Sequence, residues 1–283
     1  MDILTFYEYS NDLIYYNHAR KTKQSRSDYW AHSHDAYEII FYKKGSIIYT
    51  INGQEYRLAQ HDLVFTRPFD IHYIDTFEND TYERYNILFD KSILPDSISN
   101  KITRDINVLS FNNNQNVINL FKKMDFYCEN VHGEELGIVL KNLIQEVCVN
   151  IIIEAKNSAV HIHTISNPIV VDAINYIEEH LTTLTGIQEI CDHLFITKSH
   201  LQHLFTEHLK ISPKKYIITK RLALAQAEML SGGKPTEICI KCGFGDYSAF
   251  YRAYKNYFHC SPSGKISSER VTLSHDNTPR ISF

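Results

Sequence analysis

The sequence predicts a two-domain α+β protein, strand-rich in its N-terminal half and all-helical in its C-terminal third. Three observations predict it. Short β-branched and aromatic runs separated by turn signals fill residues 29–90. From about Val117 the apolar positions recur at three and four residues instead. Near the end of the chain, a helical pattern repeats at an offset of 48 to 49 residues.

The strand signals are Tyr37–Tyr42, Ser46–Ile51 and Asp62–Thr66, with Lys44-Gly45 and Asn52-Gly53 as turns. Asn52-Gly53, between Ile47–Ile51 and Glu55–Leu58, is a two-residue hairpin signal because both residues accept positive φ. Strands this short and this regularly spaced suggest a sandwich or a barrel. Leu136, Val139, Leu140, Leu143, Ile144 and Val147 then form the apolar stripe of a helix. A polar stretch from Lys156 to Pro168 reads as a linker.

Composition sets limits. An apolar fraction of 43% and a charged fraction of 22% are those of a globular protein. No apolar run long enough for a membrane span stands out, and the start lacks a basic segment followed by an apolar core, so a cytoplasmic protein is expected. Six cysteines (Cys128, Cys148, Cys191, Cys239, Cys242, Cys260) form no regular framework and read as reduced. The net charge of −4 is unevenly spread: residues 1–166 sum to −6, and residues 167–270 to +2. That asymmetry suits nucleic-acid binding confined to the back half.

The repeat carries the functional argument. Glu189-Ile190-Cys191 recurs as Glu237-Ile238-Cys239, Leu201 and Phe205 as Phe250 and Tyr254, and Ser212-Pro213 as Ser261-Pro262. Each copy reads as two short helices around a tight turn, with Thr197 and Asp246 as N-caps of the second helices. Such pairs are helix-turn-helix units. Between them, Ser212 caps and Pro213 opens a connecting helix that Gly232-Gly233 stops.

The segment Ile174 to Pro262 resembles the DNA-binding domain of the AraC/XylS family. The resemblance is carried by Ile174–His180, Leu201–Phe205, Ser212–Tyr216, Arg221-Leu222, Ala225, Gly243–Phe250, Lys255 and Ser261-Pro262. It implies an activator or repressor on double-stranded DNA, with RNA polymerase as a candidate partner, and it favours a homodimer. Leu140 and Leu143 are the expected dimer contacts. The exposed faces of the second helices are Lys198, Ser199, Gln202, His203 and Thr206 in one copy, and Tyr247, Ser248, Tyr251, Arg252 and Lys255 in the other. Gln202 suits adenine and Arg252 suits guanine, while basic residues further along suit phosphates. The family often has a basic residue at the place of His203 and a lysine at that of Thr206. DNA affinity is therefore expected to rise as the pH falls and His203 gains charge.

In the front half, His32-Ser33-His34, Glu38 and Gly45 resemble the first cupin motif, so the N-terminal domain is expected to be a cupin-like β-barrel of jelly-roll type with flanking helices. Positions 32, 34 and 38 share parity, as do Ile40 and Tyr42, and His34, Glu38, Ile40, Tyr42 and His72 line the expected effector pocket. An interior of Tyr, His and Glu suits a small polar effector such as a sugar. The second cupin motif is incomplete: Asp70 replaces the usual glycine and no asparagine follows His72 at the expected position. No metal, cofactor or catalytic residue is therefore assigned, and Cys239-x-x-Cys242, without a second pair nearby, is not read as zinc. Two alternatives stay open, a metal-dependent cupin enzyme fused to a DNA-binding domain and a constitutive DNA binder without ligand. The expected boundaries are a sensing barrel over 1–106, a helical dimerisation segment over 107–155, a linker over 156–168, the tandem helix-turn-helix domain over 169–266, and a loosely ordered tail over 267–283.

Overall fold

A computed structural model describes residues 2–22, 31–45, 47–76, 81–157 and 164–263. The tail lies outside the described residues. The strands are β1 (Asp2–Ser10), β2 (Ile14–Thr22), β3 (Tyr37–Lys44), β4 (Ile47–Ile51), β5 (Gln54–Leu58), β6 (Asp62–Thr66), β7 (His72–Thr76), β8 (Tyr82–Phe89), β9 (Val108–Ser110) and β10 (Thr164–Ser166). The helices are α1 (Asp96–Ser99), α2 (Gln115–Asn130), α3 (Gly133–Asn157), α4 (Pro168–Glu179), α5 (Ile187–Leu194), α6 (Lys198–Leu209), α7 (Pro213–Leu230), α8 (Pro235–Lys241) and α9 (Tyr247–Phe258).

The strands form two sheets, ordered β1-β2-β8-β3-β6-β9 and β10-β5-β4-β7. Strand β3 shows how they are packed. Side chains alternate across a strand, and here both faces are covered. Ile40 and Tyr42 join Ile47, Tyr49, Ile51 and Ile74 of the second sheet. Ile39 and Phe41 join Phe121, Met124, Leu140 and Ile144 of α2 and α3. Phe41 stacks on Phe121 with ring centroids 4.2 Å apart. Each such large side chain, fully buried, contributes about 1.5–3 kcal/mol. The Asn52-Gly53 hairpin forms as expected, with φ of 46° and 78°, and it sets the register Ile51↔Gln54.

The strand-rich, cupin-like N-terminal domain and the helical C-terminal domain are as expected; among the described residues the named strands fall into two stacked sheets, and an isolated bridge joins His32 to His72. Other expectations are corrected. Strands β1 and β2 precede the expected strand region. The six-residue run Ile14–Ala19 is buried throughout, so it lacks the alternation that marks a half-buried strand. The first sheet continues to Ser110, beyond the expected boundary at 106. The expected linker contains β10, which pairs with β5. By length and composition α3 could cross a membrane, contrary to the expectation that no such segment exists; here one face of it packs on the first sheet. Leu140 and Leu143 lie on that buried face, fully and nearly fully covered by the chain's own core, so they are not free for a second subunit. The exposed apolar residues of α3 are Ile138, Val149 and Ile153.

Candidate DNA-binding face and sensor site

The first helix pair is α5 and α6. Ile190 and Cys191 are buried on α5, and Leu201, Leu204, Phe205 and Leu209 on α6. Phe195 turns the chain in the left-handed region at φ 55°, and its ring is 95% exposed. Thr197 caps α6 by accepting from the His200 N–H at 3.2 Å. This placement leaves Lys198, Ser199, Gln202, His203 and Thr206 exposed on one helix. Three of them are engaged within it: the Gln202 amide donates to Thr206 Oγ1 at 3.2 Å, and His203 Nε2 lies 3.3 Å from the Glu207 carboxylate. Glu207 supplies a counter-charge beside His203 that residue-by-residue reading of the face had not included.

The second pair is α8 and α9. Asp246 caps α9 by accepting from the Ala249 N–H at 2.7 Å, and Phe250 and Tyr254 are buried. Tyr247, Ser248, Arg252 and Lys255 are exposed, and Tyr251 is half-buried. Cys239 and Cys242 sit in the apolar cluster of this unit, where burial pushes the Cys242 thiol up to about 11, away from the thiolate that a metal needs.

Arg221 of α7 joins the two units. Its Nε donates to the Leu181 carbonyl at 2.9 Å, its guanidinium also donates to the Leu184 carbonyl, and both acceptors lie just before α5. The same guanidinium lies against Gly243 in the turn of the second unit. A Cβ there would fall 2.9 Å from Arg221 Cζ and 2.7 Å from the Thr182 carbonyl oxygen, and φ is +83°, so glycine is required.

In the N-terminal domain, His34, Glu38 and His72 converge between the sheets. Glu38 Oε2 lies 3.1 Å from His72 Nε2 and 3.7 Å from His34 Nε2. It also accepts from Tyr49 Oη at 3.2 Å and from Thr66 Oγ1 at 3.4 Å. Burial opposes the charge on Glu38, but its contacts with His34 and His72 outweigh that and hold the carboxyl well below the usual range. Burial likewise opposes a charge on His72, and the Glu38 contact more than offsets it, so the His72 pKa is raised. Ile40 and Tyr42 share the interior face of β3 but sit in the aliphatic and aromatic cluster further along. His32, which the expected pocket omitted, is brought in: its ring centroid is 4.3 Å from that of His72. Its parity with His34 was the signal for it.

The two domains meet at this end of the sheets. Ser33 Oγ lies 2.6 Å from Tyr257 Oη, which also donates to the Ser33 carbonyl at 3.2 Å. The Gln226 amide donates to Asp35, and Lys220 Nζ lies 3.6 Å from Asp70. Ala31, Ile71 and Tyr73 share one apolar cluster with Val170, Ile174 and Leu209.

Comparison with known proteins agrees with both halves of this description. Residues 15–124 match the model of the AraC-like ligand binding domain, and residues 190–265 match a helix-turn-helix domain model. The chain is 32% identical over 98 residues to the probable transcriptional regulator LumQ of Photobacterium leiognathi, an alignment covering 34% of this chain and 39% of LumQ. It is 23% identical over 241 residues to the HTH-type transcriptional activator RhaS of Escherichia fergusonii, covering 82% of this chain and 85% of RhaS. Among solved structures, ToxT from Vibrio cholerae O395 is 15% identical with a TM-score of 0.38, covering 89% of this chain and 96% of ToxT, too low a likeness to bear on domain arrangement. With a ligand-binding domain of this kind ahead of two helix-turn-helix units, the chain belongs to the AraC family of DNA-binding transcription regulators.

Proposed function

We propose that α6 and α9 enter successive major-groove segments on one face of the DNA and that the N-terminal domain acts as the sensor of a small effector. The observation that carries this reading is the pair of capped second helices, each with a polar exposed face, held in fixed relation by α7 and Arg221. Lys198, Ser199, Gln202, His203 and Thr206 meet DNA from α6, and Tyr247, Ser248, Arg252 and Lys255 from α9, with half-buried Tyr251 reaching less far. The two helices are unequal, since α9 presents Arg252 and Lys255 whereas α6 presents Lys198 as the fixed cation of its named face.

His34, Glu38 and His72, with Ile40 and Tyr42 beyond them, are the effector-responsive residues. Their contacts of 3.1 and 3.7 Å leave no room between them for a sugar ring, which supports a smaller ligand at that end. The chain acts as a regulator rather than an enzyme, in the cytoplasm, as a homodimer. The dimer is supported by Ile138, Val149 and Ile153, which fall on one exposed stripe of α3. A second copy of the chain is its occupant.

The test of DNA reading is gel-shift titration on a site selected from random duplexes. Arg252→Ala is expected to weaken binding by about 1–3 kcal/mol and to relax preference at one base pair. A Gln202→Ala/Arg252→Ala variant that binds the selected site as tightly as wild type would refute the assignment of these helices.

A further inference from the structure

The turn of the first helix-turn-helix unit carries a side chain that folding does not explain. Phe195 caps α5 in the left-handed region, at φ 55°, and its N–H donates to the Cys191 carbonyl. The repeat offset of 48 residues aligns Phe195 with Gly243, which holds the same turn of the second unit at φ +83°. Glycine adopts that region freely, whereas a bulky side chain is strained there. Phe195 gains no burial in return, because its ring is 95% exposed. A strained residue whose side chain stays in solvent points to a role outside the fold.

The ring borders a pocket of about 680 Å³ between α4 and α5. Asp172, Tyr176 and Glu179 recur at four and three residues along α4, so they share one face of that helix. His193, Leu194 and Phe195 line the pocket from α5 and the turn after it. Tyr176 is held in place: its ring stacks on that of His193 with centroids 4.3 Å apart, and the His180 ring lies 4.4 Å away.

The pocket is electronegative. Asp172 and Glu179 are exposed. Both α4 and α5 end beside it, so the negative ends of two helices meet there. Among the described residues that line it, none is lysine or arginine. Such a surface disfavours phosphate, which makes DNA a poor occupant, and it favours a cation with a flat, weakly hydrated face. Arginine is that cation. Its guanidinium stacks on an aromatic ring while pairing with carboxylates, and it sheds water more readily than an ammonium. Arginine is also among the residues that anchor protein interfaces.

We infer that the α4–α5 pocket docks a partner protein through an arginine-bearing segment. The guanidinium lies over the Phe195 ring and pairs with Asp172 and Glu179, and an apolar neighbour in the segment packs on Leu194. None of the DNA-facing residues of α6 named above lines this pocket, so docking is compatible with DNA binding.

The test uses the full chain and a fluorescein-labelled peptide, Leu-Ala-Arg-Leu-Ala amide, followed by fluorescence anisotropy. Sister peptides carry lysine, citrulline or glutamate in place of arginine. Wild type is expected to bind the arginine peptide one-to-one and saturably, the lysine peptide more weakly, and the uncharged citrulline and the glutamate peptides not at all. Phe195→Gly and Asp172→Asn/Glu179→Gln should each weaken binding about tenfold or more, as expected of an anchor contact. Phe195→Gly should keep or raise the melting temperature, because it relieves the strained turn. It should also leave gel-shift affinity for the selected DNA site unchanged. No saturable binding by wild type, equal binding of the citrulline peptide, or full binding by either variant overturns the pocket as an arginine site. A loss of DNA affinity in Phe195→Gly would assign the ring to DNA, and a lowered melting temperature would assign it to the fold. Either result overturns the inference.

Discussion

Arg221 offers the sharpest test of how the two helix-turn-helix units are coupled. Replacing it with leucine keeps most of the aliphatic stem and removes the guanidinium from the Leu181 and Leu184 carbonyls. Hydrogen bonds from a charged donor contribute about 1.5–3 kcal/mol each. Arg221 is half-buried, so water replaces part of what is lost, and the lower end applies to both bonds. A loss of about 2–4 kcal/mol follows. The loss should be localised, because the bonds lie between α7 and the turn before α5, and because the guanidinium also fills the space against Gly243. Two assays read it. Hydrogen exchange over residues 181–194 should accelerate by one to two orders of magnitude or more, as expected of about 2 kcal/mol or above. Affinity for a full selected DNA site should fall more than affinity for either half of it, because the units are no longer held in register. Arg221→Lys should behave like the leucine variant, since one ammonium does not reproduce the planar fork that reaches both carbonyls. Unchanged exchange in that segment, or equal losses on full and half sites, would refute the reasoning.

Two further predictions follow from the N-terminal domain. Burial opposes ionisation of Glu83, but Lys43 at 2.8 Å and Arg20 at 2.7 Å hold its carboxyl at about 2. A carboxylate depressed in the fold stabilises above the unfolded value near ~4.3 and loses that contribution as the pH falls toward 2. Urea unfolding between pH 5 and 2.5 should therefore show wild type losing up to about 2 kcal/mol more than Glu83→Gln, less what solvent screens at the partly exposed Arg20 and Lys43; parallel losses would remove Glu83 from the account of acid sensitivity. On α3, Ile138→Glu/Ile153→Glu should yield a monomer by light scattering with little change in melting temperature. Leu140→Glu, at a fully buried position, should cost about 3 kcal/mol or more and unfold the domain instead. A dimer that survives the double substitution would place the subunit contact elsewhere.

What the sequence disclosed was mostly local. Thr197, Ser212 and Asp246 were readable as caps because a cap needs only its own next turn, and each accepts the expected backbone N–H. The Asn52-Gly53 hairpin was readable for the same reason. Strand β2 was hidden because burial on both faces erases alternation. The stripe of α3 was visible, but not whether a sheet or a second subunit covers it; periodicity marks a buried face without naming its partner. Parity alone grouped His32 with His34, yet the approach of His72 depends on a pairing between loop and strand. Least legible was the domain contact, because Ser33 and Tyr257 are 224 residues apart and neither sits in a recognisable motif.

Strand β10 changes what kind of joint links the domains. It ends at Ser166 and α4 begins at Pro168, so a single residue separates a strand zipped to β5 from the first helix of the DNA-binding domain. A leash this short holds the facing surfaces together at an effective concentration on the order of millimolar. Contacts that would be too weak between separate molecules, such as Ser33 with Tyr257, then suffice to keep the surfaces docked. The same stitch limits travel. For the DNA-binding domain to swing far, the three residue pairs of β10 and β5 must first unzip, which makes that edge of the sheet a ratchet on domain motion.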